Sequence, residues 1–235
     1  MKSARQQTLL ALLARHDTLT TASLAAQLGI SKETLRRDLT ALQAQGKIVR
    51  HHGRARLIHT QNHDGGEPFV ARLKSHYADK AHIARHALEW IDEGMILALD
   101  ASSTCFHLAR QLPDRPLTVF TNSQPICQEI ARRQHVTLIC SGGELDRKYR
   151  CYKNMALVSL LKTINIDLFI FSCEGVDANG DMWDPTAHNA GFKTQLLRRA
   201  QQSLLLIDKS KFQRASEVKI GHTSAVTQMI TYGYG

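Results

Sequence analysis

From Asp79 onward the chain alternates short apolar runs with helix-like stretches. The runs are MILAL, LTVFT, VTLIC, DLFIFSC and SLLLID. Around them lie DKAHIARHALEWI, TCFHLARQL, PICQEIARR and HNAGFKTQLLRRA, with apolar residues at helical spacing, in the first at 83, 87, 88 and 91. Strands covered on both faces read as continuous apolar runs, and parallel neighbours need helical crossovers. This alternation predicts an α/β unit around a mostly parallel sheet. A less regular stretch, LDRKYRCYKN and a helix near 155–163, interrupts it. The closing VTQMITYGYG is expected to fray or pack irregularly.

The first quarter of the chain is different. ARQQTLLALLAR places leucines 9, 12 and 13 on one helical face, TASLAAQL makes a short helix over Leu24, Ala25 and Leu28, and Gly29 ends it. Ser31 is a good N-cap for SKETLRRDLTALQAQ, which carries Leu35, Leu39 and Leu42 on one stripe and ends at Gly46. KIVR and RARLI flank His51-His52-Gly53 as a hairpin. The polar stretch HTQNHDGGEP reads as a linker. The expected organisation is a winged helix-turn-helix domain over 1–58, a linker over 59–75 and a ligand-binding α/β domain over 76–235.

Charge follows the same division. The net charge is +9 over 235 residues. Residues 1–57 hold ten lysines and arginines against three carboxylates, whereas residues 58–235 are nearly balanced. Such a surplus on a small module suits a polyanion, although charge alone does not separate this from a solvated basic face. Neither a long apolar run nor a secretory h-region is present in the sequence, so no membrane span is expected and the chain is placed in the cytoplasm. Five cysteines without CxxC spacing read as reduced thiols. The histidines show no convincing ligand spacing, and neither metal nor cofactor is expected.

With the three leucines inward, helical steps turn Glu33, Arg37, Thr40 and Ala44 outward, with Thr34 and Arg36 on the flanks. The first turns of a recognition helix meet base edges. The expected DNA-contacting set is therefore Ser31, Lys32, Thr34, Arg36, Arg37 and Thr40 from the helix, with Arg50, His52, Arg54 and Arg56 from the hairpin. Arginine in such a place bonds guanine or clamps phosphate.

In the α/β domain, three strand ends run into turns suited to an anion. ALDASSTC offers Ser102, Ser103 and Thr104 at a helix start, and Thr121, Asn122 and Ser123 repeat the arrangement. Ser141, Gly142 and Gly143 make a third turn, where backbone can approach a ligand closely. Ligands of open α/β sheets bind at such strand ends. Each turn alone is more often a plain helix cap; three together favour a pocket. Lys193 is within reach of it, and Asp208 and Lys211 follow the last leucine-rich run. Were the domain an enzyme, Asp100, Glu174, Asp177 and Asp184 would be the candidate bases. Trp183 is more readily a core or surface residue than a sugar-stacking one.

The stretch ISKETLRRDLTALQAQGKIVRHHGRA resembles the DeoR-type winged-helix signature, with Gly53-Arg54 where the family usually has two glycines. LDASST, TNS, SGGEL, DLFIFSCEGVD and LLLIDKSKF, preceded by Pro68-Phe69 and Arg72, stand in the same family's order. The resemblance implies an oligomeric DNA-binding transcription regulator of a sugar-catabolism operon. Its α/β domain is then similar to the ribose-5-phosphate isomerase and glucosamine-6-phosphate deaminase group. It implies a phosphorylated sugar as effector, L-fuculose 1-phosphate in the branch these stretches most resemble, and activation as the outcome. It also implies that Asp100 and Lys211 line the site, and brings in Glu174 and Gly175 of DLFIFSCEGVD. Many relatives carry a glutamate shortly before the helix lysine; here that neighbourhood reads His188-Asn189-Ala190. This departure favours a sensor over an enzyme. An isomerase with a DNA-binding extension and a protein-binding adaptor are the competing readings.

Overall fold

The structure, a computed structural model, describes residues 2–15, 19–44, 48–51, 54–57 and 66–232. The chain divides into two compact units between Asp64 and Gly65.

In the first unit, α1 (Lys2–Arg15) is followed by β1 (Leu19–Thr20), α2 (Thr21–Leu28), α3 (Lys32–Ala44), β2 (Ile48–His51) and β3 (Arg54–Leu57). The Thr20 hydroxyl caps α2 by accepting from Ser23 N–H. Gly29 closes it at φ 61°, a left-handed conformation that glycine adopts without Cβ strain. Leu9, Leu13, Leu24, Leu35, Leu39 and Leu42 are buried in one cluster, so the expected stripes meet. Leu28 is only half-buried. β2 and β3 pair antiparallel as the expected hairpin, and β1 adds a third strand through Leu19 opposite Ala55, a pairing too short to show in the sequence. Arg5 Nε holds the buried Asp38 carboxylate at 2.5 Å, tying α1 to α3. Gly46, His52 and Gly53 lie outside the described residues.

The second unit begins earlier than expected. Residues 66–75, read as part of a linker, include α4 (Phe69–Lys74). Phe69 is buried, edge-on to Phe106 at 5.8 Å, and its N–H donates to Lys148 O. The preceding polar, Gly/Pro-rich stretch obscured a helix of barely two turns. Next come α5 (Tyr77–Ala87), β4 (Ile96–Leu99), α6 (Ser103–Gln111), β5 (Leu117–Thr121), α7 (Gln124–Ile130) and β6 (Val136–Cys140). An excursion follows: β7 (Glu144–Asp146), β8 (Cys151–Lys153) and α8 (Leu157–Leu160). The chain ends with β9 (Leu168–Phe171), β10 (Gly175–Val176), β11 (Asp181–Asp184), α9 (Ala187–Leu197), β12 (Gln202–Asp208), β13 (Val218–His222) and β14 (Gln228–Tyr232).

Six strands form one sheet in the order β14-β12-β9-β4-β5-β6, every neighbouring pair parallel. Alternation splits the central strands between two cores. Leu97, Leu168, Ile170, Leu204 and Leu206 join α5, α6 and α7 on one face. Ala98, Phe169, Phe171, Leu205 and Ile207 join α9 on the other. Each fully buried large side chain contributes about 1.5–3 kcal/mol, which makes β9 and β12 the anchors of the unit. Residues 228–232, whose order the sequence left open, lie parallel against β12 as an edge strand. A small antiparallel sheet, β10-β11-β13, and the β7–β8 hairpin were not anticipated.

Candidate functional site

Ser31 begins the first unit's candidate nucleic-acid face. Its hydroxyl accepts from Thr34 N–H at 3.2 Å and lies 2.9 Å from the Thr34 hydroxyl. Lys32, Arg36, Arg37 and Thr40 are exposed along α3. Arg36 and Arg37 both lean on Glu33, at 3.3 and 3.5 Å, with side chains 68% and 79% exposed. Pairs this exposed contribute a few tenths of a kcal/mol and yield readily to a phosphate. Thr40 donates to Arg36 O, so its hydroxyl is engaged within the helix. The backbone of Arg50 lies in β2 and that of Arg54 and Arg56 in β3. His52 is outside the described residues.

The second unit's cleft opens where β4, β5 and β9 end, joined by α4, the end of β11 and α9. The space between its walls is about 390 Å³ with the open solvent at its mouth included. At its floor Lys193 lies between two carboxylates, with Nζ 3.1 Å from Asp100 Oδ2 and in close contact with Asp184 Oδ2. All three are buried. Burial alone would lower the lysine's pKa, but Asp184 and Asp100 outweigh it and hold the ammonium charged well above its ordinary range. Asp100 also accepts from Ser102 and Ser172 N–H, and Asp184 from Thr186 N–H. Glu174 is held by Arg214 at 2.6 Å. Thus each carboxylate lining the cleft already has a cation. Burial pushes the Cys173 thiol up to about 12, so it lines the wall as a neutral S–H.

Three polar atoms of the cleft residues are buried without a hydrogen-bond partner among the described residues: Arg72 Nε, Asn122 Oδ1 and Ser172 Oγ. The Arg72 guanidinium lies 5.8 Å from the Phe69 ring and 5.7 Å from that of Tyr149. Lys211 donates one proton to Cys173 O at 2.8 Å. Among the described residues, neither Arg72 nor Lys211 has a carboxylate within ion-pair distance. A cleft with two such cations, an orphaned donor and an orphaned acceptor suits an anionic, polyhydroxylated molecule.

Of the expected effector residues, Asp100, Ser102, Asn122, Glu174, Lys193 and Lys211 line this cleft. The others stand elsewhere. Ser103 and Thr104 are buried in the first turn of α6. Thr121 donates to Leu99 O and accepts from Ser123 N–H, while Ser123 caps α7. Ser141 lines a neighbouring, more apolar groove with His188, Tyr152 and Met155. Gly142 and Gly143 take φ 65° and 109°, and a Cβ on Gly143 would run into the Lys153 carbonyl, so close backbone packing requires that glycine. Gly175 likewise meets Arg214 backbone. Asp208 accepts from Ser210 at the end of β12. Trp183 donates to Asp177 at 2.9 Å and does not face the cleft. Sequence reasoning missed Arg72, Ser172 and Asn189 as lining residues; Arg72 fell within the stretch read as linker.

Residues 5–61 match the DeoR-like helix-turn-helix domain and residues 75–232 the DeoR C terminal sensor domain. The L-fucose operon activator of Escherichia coli (strain K12) is 62% identical, over 98% of this chain and 95% of that protein. The protein of the same name from Haemophilus influenzae is 34% identical, over 88% and 83%. Among solved structures, ribose 5-phosphate isomerase A from Methanocaldococcus jannaschii is 17% identical over 59% of this chain and 55% of that one, with a TM-score of 0.42. No helix among the described residues is long and apolar enough to cross a membrane. Both matched domains are those of regulators rather than enzymes: the chain belongs to the DeoR family of DNA-binding transcription regulators.

Proposed function

We propose that this regulator activates L-fucose utilisation genes in the cytoplasm and answers to L-fuculose 1-phosphate. The effector enters the cleft with its phosphate on Arg72 and Lys211 and its hydroxyls on Asn122 and Ser172. The observation that carries this reading is the set of orphaned polar atoms around one cleft, since a buried polar group left unpaired costs about 1–3 kcal/mol. The name of the 62%-identical relative supports the sugar and the direction of control. Turnover is disfavoured because Asp100, Asp184 and Glu174, the carboxylates that line the cleft among the described residues, are each engaged by a cation.

DNA is held by α3 and the β2–β3 hairpin. A homo-oligomer places paired recognition helices on half-sites about 34 Å apart. The effector shifts DNA occupancy only by its differential affinity for the two states of the protein. The test is fluorescence anisotropy on DNA from upstream of fucose genes, with and without L-fuculose 1-phosphate at two salt concentrations, and an assay for sugar-phosphate turnover in the same samples. Salt-sensitive, sequence-selective binding that the phosphosugar changes, without turnover, is expected. Turnover, or binding that ignores the phosphosugar, overturns the reading.

A further inference from the structure

Away from the cleft, α5 carries the sequence His82-Ile-Ala-Arg-His86. Two histidines four apart lie one above the other on a helix face, the spacing with which helices chelate transition metals. Here the two Nε2 atoms are hydrogen-bonded at 3.0 Å, with ring centroids at 4.6 Å, so a metal held by both takes the place of the proton they share. Both rings are held from outside. His86 Nδ1 lies 3.4 Å from Glu89 Oε1, a carboxylate contact of the kind that orients a metal-binding imidazole. The His82 ring stacks on Tyr232 of β14 at 3.8 Å. The pair is thus oriented by one residue of its own segment and one of the edge strand.

From this geometry we infer that His82 and His86 form a two-histidine chelate for a late first-row divalent cation, Cu2+ or Ni2+ ahead of Zn2+. With metal–nitrogen bonds of about 2.0–2.1 Å, donors at this separation subtend about 95° at the metal. That is the cis angle of tetragonal sites, which copper and nickel favour, and is narrower than a tetrahedral zinc site requires. Among the described residues no group of three or more metal-binding side chains converges, so water or another small ligand completes the coordination. His86 is exposed, which leaves the metal side open.

Isothermal titration of the full-length, untagged chain with NiCl2 and with CuCl2 tests this, against His86→Ala and His86→Gln. Both variants are expected to bind one metal equivalent fewer, or that equivalent at least about tenfold more weakly, with an unchanged metal-free denaturation curve as the control for folding. Zinc is expected to compete less well than copper. His82→Ala should lose the same equivalent, and a Tyr232→Ala chain should weaken it by loosening the His82 ring. A wild-type chain that binds no metal, or His86 variants that match wild type in stoichiometry and affinity, would overturn the assignment.

Discussion

The two units treat charge in opposite ways. In the first, Arg36 and Arg37 stand in solvent on α3, restrained only by Glu33. In the second, Lys193, Asp100 and Asp184 are sealed into one buried group whose members satisfy each other. Exposed charge is available to any polyanion and contributes little to folding. Buried charge serves the fold first, and its availability to a ligand depends on what the network leaves unpaired. In this protein the remainder includes Arg72, Asn122 and Ser172, and the proposed function gives recognition to those residues rather than to the most deeply buried ions.

The contrast breaks most visibly at Lys193. Lys193→Met leaves two buried carboxylates without their cation, and removing one partner from a buried ion pair costs about 3–5 kcal/mol. Chemical denaturation should show that loss in the second unit, or no soluble protein at all. A loss below about 0.5 kcal/mol, the range of ordinary surface substitutions, would mean that the buried group does not hold the unit together. Next comes Arg72→Met, which keeps an apolar stem against Phe69 and Tyr149 but deletes the guanidinium. A lost hydrogen bond to a charged group is worth about 1.5–3 kcal/mol, so effector affinity should fall roughly tenfold to 150-fold with DNA affinity in its absence unchanged. An unchanged effector titration would remove Arg72 from the binding set.

On the exposed side the effects are smaller and belong to DNA. Arg37→Ala should cost about 1–3 kcal/mol on the operator and relax preference at one base position. Arg54→Ala, in the hairpin, should weaken operator and random DNA alike and reduce the salt slope by about one if it meets a single phosphate. Binding curves on both DNAs at several salt concentrations separate the two roles. Equal losses from Arg37→Ala on operator and random DNA would contradict its assignment to base reading.

The contrast also explains what was legible in the sequence. The winged-helix unit is written in local signals: a leucine stripe, a serine cap and a left-handed glycine, each of which acts within a few residues. The parallel sheet was legible because β9 and β12 are apolar on both faces. The cleft was half legible. Strand ends announced Asp100, Ser102 and Asn122, but the same logic also raised Thr121, Ser123 and Gly143, whose side chains or backbone serve caps and packing. Arg72 and Asn189 reach the cleft only through tertiary placement, and the helix that delivers Arg72 was hidden behind a polar, glycine-rich stretch. The antiparallel strands were too short to carry periodicity. His82 and His86 stand four apart, a spacing too common on helices to convince by itself; what singles them out is the way Glu89 and Tyr232 contact their rings, which only the fold supplies.

The smallest effect sharpens the comparison by pH. His107 is buried on α6, edge-on to Tyr77 at 4.7 Å, and its Nε2 has no hydrogen-bond partner among the described residues. Burial, aided by Lys80 and Arg110, lowers its pKa from the ordinary 6.5. Burial and Lys153 lower that of His188 in the same direction. A folded pKa below the unfolded one means that the unfolded chain takes up a proton which the native imidazole refuses. Stability from these residues is therefore complete above the ordinary value and falls as acidification passes through it, until the folded pKa is reached. Denaturation of the second unit between about pH 7.5 and 5.5 should show a decline that His107→Leu partly flattens, since leucine has no proton to accept. The DNA-contacting residues belong to the first unit, so DNA affinity measured while the protein remains folded should have the same pH dependence in the wild-type and His107→Leu chains. A decline equally steep in the leucine variant would locate the acid sensitivity elsewhere in the unit, with His188 the next residue to replace.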